Sequence, residues 1–163
     1  MHDPKFKFGK PFAVPCPGRH HEETAMGSTL IPCLRYQDAH AAIDWLCRNF
    51  GFQKRTVIPN KSGGVAHAEL VLGDGMVMLG SHMDDRLAGV IVPPDRVGGV
   101  QTQTTWVQVA DADDVYARVV DSGATVVQEI DDAPFGGRTF ACRDPEGHVW
   151  HVGTWDAWAS SAQ

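Results

Sequence analysis

PFGGRTFACRDPEGHVWHVGTW, residues 134–155, is the stretch that decides the fold. Residues 138–143 (RTFACR) alternate in the period-two manner of a half-buried strand, and residues 149–152 (VWHV) form a β-branched and aromatic run. Between them, Asp144-Pro145-Glu146-Gly147 is a turn with a mechanism. Proline presets φ for the second turn position, and glycine supplies the positive φ that a reversal needs. The preceding loop, residues 134–137, holds two glycines that let the backbone bend or approach a ligand closely. A hairpin therefore closes the chain, with Trp150, His151 and Trp155 on or just past its last strand.

Working outward, the same order of elements occurs twice. Residues 29–36 (TLIPCLRY) read as a strand that Pro32 confines to an edge or an irregular position. Asp38 caps a helix over residues 39–49, whose apolar positions Ala42, Ile43, Trp45 and Leu46 share one face, and Gly51 stops it. Strands follow at 53–58, 65–72 and 76–79, with a Gly73-Asp74-Gly75 hairpin turn before the last. After a glycine- and proline-rich linker over 81–101, a strand at 104–109 and a cap at Asp111 lead into a helix at 113–122 that Gly123 ends. A strand at 125–130 and the closing hairpin complete the second unit. Asp38 precedes Asp111 by 73 residues, while Gly51 precedes Gly123, and Gly75 precedes Gly147, by 72. Caps, stops and turns at a nearly constant offset imply an internal duplication. The expected fold is α+β: two βαβββ repeats, over 28–80 and 102–158, forming curved mixed sheets around a cleft. Each unit leaves a sheet face to cover, so the two pack together within one chain or by exchange between chains.

Bulk properties narrow the function. At 163 residues the chain can bury one core, and its net charge of −6 excludes a general nucleic-acid or anionic-membrane binder. No apolar run approaches the roughly 20 residues of a membrane span, and no signal-peptide pattern opens the chain. Cys16, Cys33, Cys47 and Cys142 show no CxxC spacing and read as reduced thiols of a cytoplasmic protein. Residues 1–27 carry four of the ten prolines and little periodicity, and read as an arm without a core of its own. Their His20-His21 pair reads as solvated rather than ligating. Walker A, GxGxxG and GxSxG patterns are all missing.

The pattern R-x-F-x-x-x-D-P-x-G, from Arg138 to Gly147, resembles the last two strands of the vicinal oxygen chelate superfamily. That superfamily includes glyoxalase I, extradiol dioxygenases, and the bleomycin and fosfomycin resistance proteins. The resemblance covers residues 28–158 and implies a cleft between curved sheets. It also implies His/Glu metal ligands at four strand positions, which fall here at about Ile31, Met78 or Leu79, Thr104 and His151. Of these only His151 is a good ligand, and a catalytic divalent site needs about three protein ligands and an open position. His67 and Glu69 share a face and offer a substitute pair. The expectation is nevertheless no cofactor and no metal.

The remaining residues suit a small organic ligand. Thr104, Trp106 and Gln108 share one strand face, and Val149 and His151 share another. A cleft with aromatic walls and a few polar handles takes a flat molecule. The expected ligand set is Thr104, Trp106, Gln108, Trp150, His151, Arg138 and His67. Core packing is the competing reading for Trp106 and Trp150, and pairing with Asp131 or Asp132 for Arg138. The expectation is a metal-independent, bleomycin-resistance-like binding protein, assembled as a homodimer. The alternative is a glyoxalase-type lyase or isomerase, and a non-catalytic partner or regulator is a third reading.

Overall fold

In the computed structural model, residues 27–159 are described. Apart from Gly27, the arm and its histidine pair lie outside the described residues. The first unit runs β1 (Cys33–Tyr36), α1 (Ala39–Phe50), β2 (Gln53–Pro59), β3 (Val65–Leu72) and β4 (Gly75–Ser81). The second runs β5 (Thr105–Gln108), α2 (Ala112–Asp121), β6 (Val126–Asp132), β7 (Arg138–Arg143) and β8 (Val149–Gly153). Their strand orders, β1-β4-β3-β2 and β5-β8-β7-β6, are the same pattern, with the first strand parallel to the last and the rest antiparallel. This is the duplicated βαβββ architecture. The intervening segment holds a single 3₁₀ turn, Pro94–Val97.

The caps act as the residue types dictate. Asp38 accepts from the Ala41 N–H at 3.0 Å, and Asp111 from the Asp114 N–H at 3.0 Å. Gly51 ends α1 in the left-handed conformation at φ 86°, where a Cβ would be strained. One expectation shifts: the strand drawn from residue 29 begins only at Cys33. Pro32 has no N–H to give a ladder, although its carbonyl accepts from Met78 N at 2.9 Å.

The core joins the two units through their helix-bearing faces. Ile43, Leu46 and Phe50 of α1, Val115 and Val119 of α2, and the inner residues of both sheets form one buried cluster. Phe50 meets Trp150 of the other unit edge-on, with ring centroids 5.5 Å apart. Trp45 donates to Ser122 Oγ at 3.1 Å, and Arg118 Nε to the Asn49 carbonyl at 3.0 Å, tying α1 to α2.

The β7–β8 turn closes the same seam. Buried Asp144 accepts at Oδ1 from the N–H groups of Glu146 and His148. At Oδ2 it accepts from Trp150 Nε1 at 3.1 Å and from the Tyr36 hydroxyl at 2.6 Å. Tyr36 lies on β1 of the first unit, and burial, then the Asp144 carboxylate, holds its phenol well above the usual range. Glu146 reaches across too, accepting from the N–H groups of Gln37 and Asp38 at the start of α1. His148 completes the set, with Nε2 donating to the Arg35 carbonyl at 2.9 Å while Nδ1 accepts from Gln101. The Asp-Pro-Glu-Gly sequence is thus both a turn and a clasp between units.

Gly147 sits in this turn at φ 92°. A Cβ there would meet nothing closer than Pro94 Cβ at 3.6 Å, so conformation rather than space excludes it. Gly147→Val should lower the free energy of unfolding by roughly 1–3 kcal/mol through strain at positive φ. Urea denaturation checks this, and a variant that unfolds at the parent's midpoint would contradict it.

Candidate functional site

Because each sheet gives one face to the shared core, its other face looks outward. On the first sheet, strand pairing places Cys33, Met78 and Glu69 in one row, with His67 and Met76 flanking it. On the second, Trp106, His151 and Ala141 form the equivalent row, with Gln108, Gly153 and Thr139 beside it. Cys33 and Trp106, like Met78 and His151, are related by the 73-residue offset of the duplication. Ile31 and Thr104 share that offset too, but the first-strand residues that pair with Met78 and His151 are Cys33 and Trp106. Ile31 precedes β1 and Thr104 precedes β5, so neither belongs to a strand.

Those four positions carry a thiol, a thioether, an indole and one imidazole. This set does not fit the His/Glu ligation that the superfamily's metal sites use. Among the described residues, no group of three or more His, Cys, Asp and Glu side chains is placed to hold a metal. His67 does approach Glu69, Nε2 to Oε1 at 3.3 Å, with Arg55 on the other carboxylate oxygen at 3.6 Å. The hydrogen bond from His67 is the largest of the effects that lower the Glu69 pKa. It is a polar pair with no third ligand.

Aromatic rings dominate the second face. Trp106 packs edge-to-face on Trp155, with centroids 6.0 Å apart at 76°, and Trp155 packs likewise on Phe135 at 5.3 Å and 69°. Two glycines make this possible. A Cβ on Gly153 would lie 2.6 Å from Trp106 Cη2 and 2.7 Å from the Arg138 carbonyl oxygen, so the indole rests where a side chain is forbidden. A Cβ on Gly137 would lie 2.9 Å from the Trp155 backbone nitrogen. That close approach lets the loop carrying Phe135 seat against the segment carrying Trp155. Phe135 and Trp155 are 58% and 38% exposed, large apolar rings at the edge of an outward face.

The expected ligand residues divide accordingly. Trp106 and His151 are half-buried neighbours on this face, and Gln108 is exposed at its end. Thr104 lies one residue before β5, exposed, because the strand begins at Thr105. Trp150 points the other way: at 1% exposure it belongs to the core, between Phe50 and Phe52, with its N–H held by Asp144. Strand alternation dictates this, since its neighbour His151 faces outward. Arg138 is occupied by Asp113, through Nε at 2.8 Å and Nη2 at 2.9 Å, and by Asp132 at 3.2 Å. Its hydrogen bonds to Asp113, then Asp132, raise its pKa, and it serves as an ion-pair centre. His67 stands on the outward face of the other sheet. Phe135 was missed by sequence reasoning, although an aromatic between Pro134 and a glycine pair, in a loop without periodicity, is a legible signal.

A groove of about 610 Å³ opens elsewhere, along β1 and the linker. Ile31, Val90, Ile91 and Val100 share its walls with Arg35, Gln101 and Trp150, and neither Trp106 nor His151 lines it. One chain therefore presents the aromatic face open on one side. None of the described helices is long and apolar enough to cross a membrane.

Comparison with known proteins places this geometry. Residues 26–152 match the model of the Glyoxalase/Bleomycin resistance protein/Dioxygenase superfamily. An uncharacterized protein of Mycobacterium tuberculosis is 30% identical over 142 residues, covering 83% of each chain. One from Mycobacterium bovis is 32% identical over 124 residues, covering 76% of this chain and 81% of the relative. Among solved structures, TioX from Micromonospora sp. ML1 is 31% identical with a TM-score of 0.59, covering 78% of this chain and 98% of TioX. A glyoxalase/bleomycin resistance protein from Streptomyces sp. CB03234 shares the fold at 17% identity and a TM-score of 0.56, covering 76% of this chain and 96% of its own. With a family model spanning most of its length and relatives at this identity, the chain belongs to the glyoxalase/bleomycin resistance protein/dioxygenase superfamily.

Proposed function

We propose that this chain is a metal-independent small-molecule binding protein of the bleomycin-resistance-like type, working as a homodimer. The observation that carries the reading is the run of three rings, Phe135, Trp155 and Trp106, beside His151 on an outward sheet face. Exposed aromatic faces bury large apolar area against a flat ligand, and their quadrupoles attract cationic ones. A cleft needs a second wall, and one chain directs its two outward faces away from the shared core. A second copy supplies that wall: the sheet bearing Cys33, Met78, His67 and Glu69 closes over the other copy's aromatic face. Two equivalent clefts per dimer result from the twofold symmetry.

The His67–Glu69 pair supports a second reading, in which it sits opposite the other copy's His151 and serves a glyoxalase-type lyase or isomerase. Metal binding separates the two. Ni²⁺, Zn²⁺ and Fe²⁺ should fail to bind stoichiometrically to purified dimer, since the four strand positions hold only one imidazole. Stoichiometric, tight binding that His151→Ala abolishes would favour the lyase or isomerase.

Binding itself is tested with a panel of planar, heteroaromatic and cationic compounds, read by tryptophan fluorescence. At least one class should quench saturably, and Trp106→Ala should weaken that binding by about 2 kcal/mol, as commonly follows loss of a central aromatic. An unchanged affinity in Trp106→Ala would remove the aromatic face from the account.

A further inference from the structure

The indole nitrogen of Trp106 is the one buried side-chain nitrogen or oxygen among the described residues without a hydrogen-bond partner. Native proteins rarely leave such a donor unpaired, because its lost hydration is not replaced. The indole as a whole is only half buried. Its benzo edge is fixed over Gly153, and Cζ2, one bond from the carbon that carries Nε1, would lie 3.1 Å from a Cβ at that position. Trp106 stands on a strand paired to β8, whereas Trp155 sits on coil and is 38% exposed. The donor is therefore held in place by the sheet, whereas the neighbouring Trp155 ring is carried by a segment outside it.

Resting on the binding-protein reading, we infer that the Trp106 indole N–H is a specificity-determining donor, and that the ligand is a planar aromatic molecule bearing a hydrogen-bond acceptor such as a ring carbonyl. A ligand whose acceptor reaches Nε1 as it seats on the rings restores the missing hydrogen bond. A flat molecule without an acceptor gains the aromatic contact and leaves the donor unpaired. Sites containing a buried polar group discriminate strongly against analogues that cannot pair with it.

Fluorenone and fluorene test this. Both are flat tricyclic molecules, differing in a ring carbonyl against a methylene, and simple partition favours fluorene. Equilibrium dialysis with the full chain should show fluorenone binding tighter by roughly five- to tenfold, the usual worth of one net hydrogen bond. Trp106→Phe keeps an aromatic face but removes the N–H, and should bind fluorenone no more tightly than fluorene. In the parent protein the Trp106 Nε1 proton resonance should move downfield with fluorenone and not with fluorene. Equal affinities, a preference that survives in Trp106→Phe, or an unmoved resonance would each overturn the donor role while leaving the binding reading intact. Binding of neither compound would count against that reading, and the inference would fall with it.

Discussion

The Asp144 carboxylate is buried and fully occupied, and the arrangement of the two units depends on it. Its Oδ1 shapes the β7–β8 turn through two backbone N–H groups, and its Oδ2 binds Trp150 of its own unit and Tyr36 of the other. A carboxylate taken out of water is stable only when its lone pairs are met, and here four donors meet them. The clasp continues through Glu146 at the start of α1 and His148 against the Arg35 carbonyl. Together with the Phe50–Trp150 contact, it commits the helix-bearing faces of both sheets to one core.

That commitment determines what is left for function. Each sheet keeps one outward face, and duplication gives both faces the same register with different chemistry. Cys33 and Met78 stand on the first where Trp106 and His151 stand on the second. The second has gained rings from two irregular segments, which Gly137 allows to pack together. At these strand positions the chain presents sulfur and aromatic surface, and the stacking proposal rests on that chemistry.

Much of this was legible in sequence because it rests on local rules. Asp38, Asp111, Gly51 and Gly147 announce caps, stops and turns through backbone chemistry alone, and their offsets reveal the repeat. The site was less legible, because a one-residue choice of register or face needs the partner strand. Trp150 and His151 are adjacent, and alternation sends one to the core and the other outward; sequence shows the alternation but not its phase. Arg138 pairs with Asp132, one of the two partners its competing reading named, yet its main partner Asp113 lies 25 residues away on α2, beyond any local pattern. The 2.6 Å Tyr36–Asp144 bond spans 108 residues, and no spacing rule predicts it.

The clasp is tested most directly by a double-mutant cycle across Tyr36 and Asp144. Urea unfolding would be measured for the parent, Tyr36→Phe, Asp144→Asn and the double variant. If the hydroxyl–carboxylate bond joins the two units, the losses will be non-additive, with a coupling energy on the order of 1–3 kcal/mol, as for a hydrogen bond to a buried charge. Additive losses, agreeing to within about 0.3 kcal/mol, would mean that the two residues act independently and that the units are not held together through Asp144.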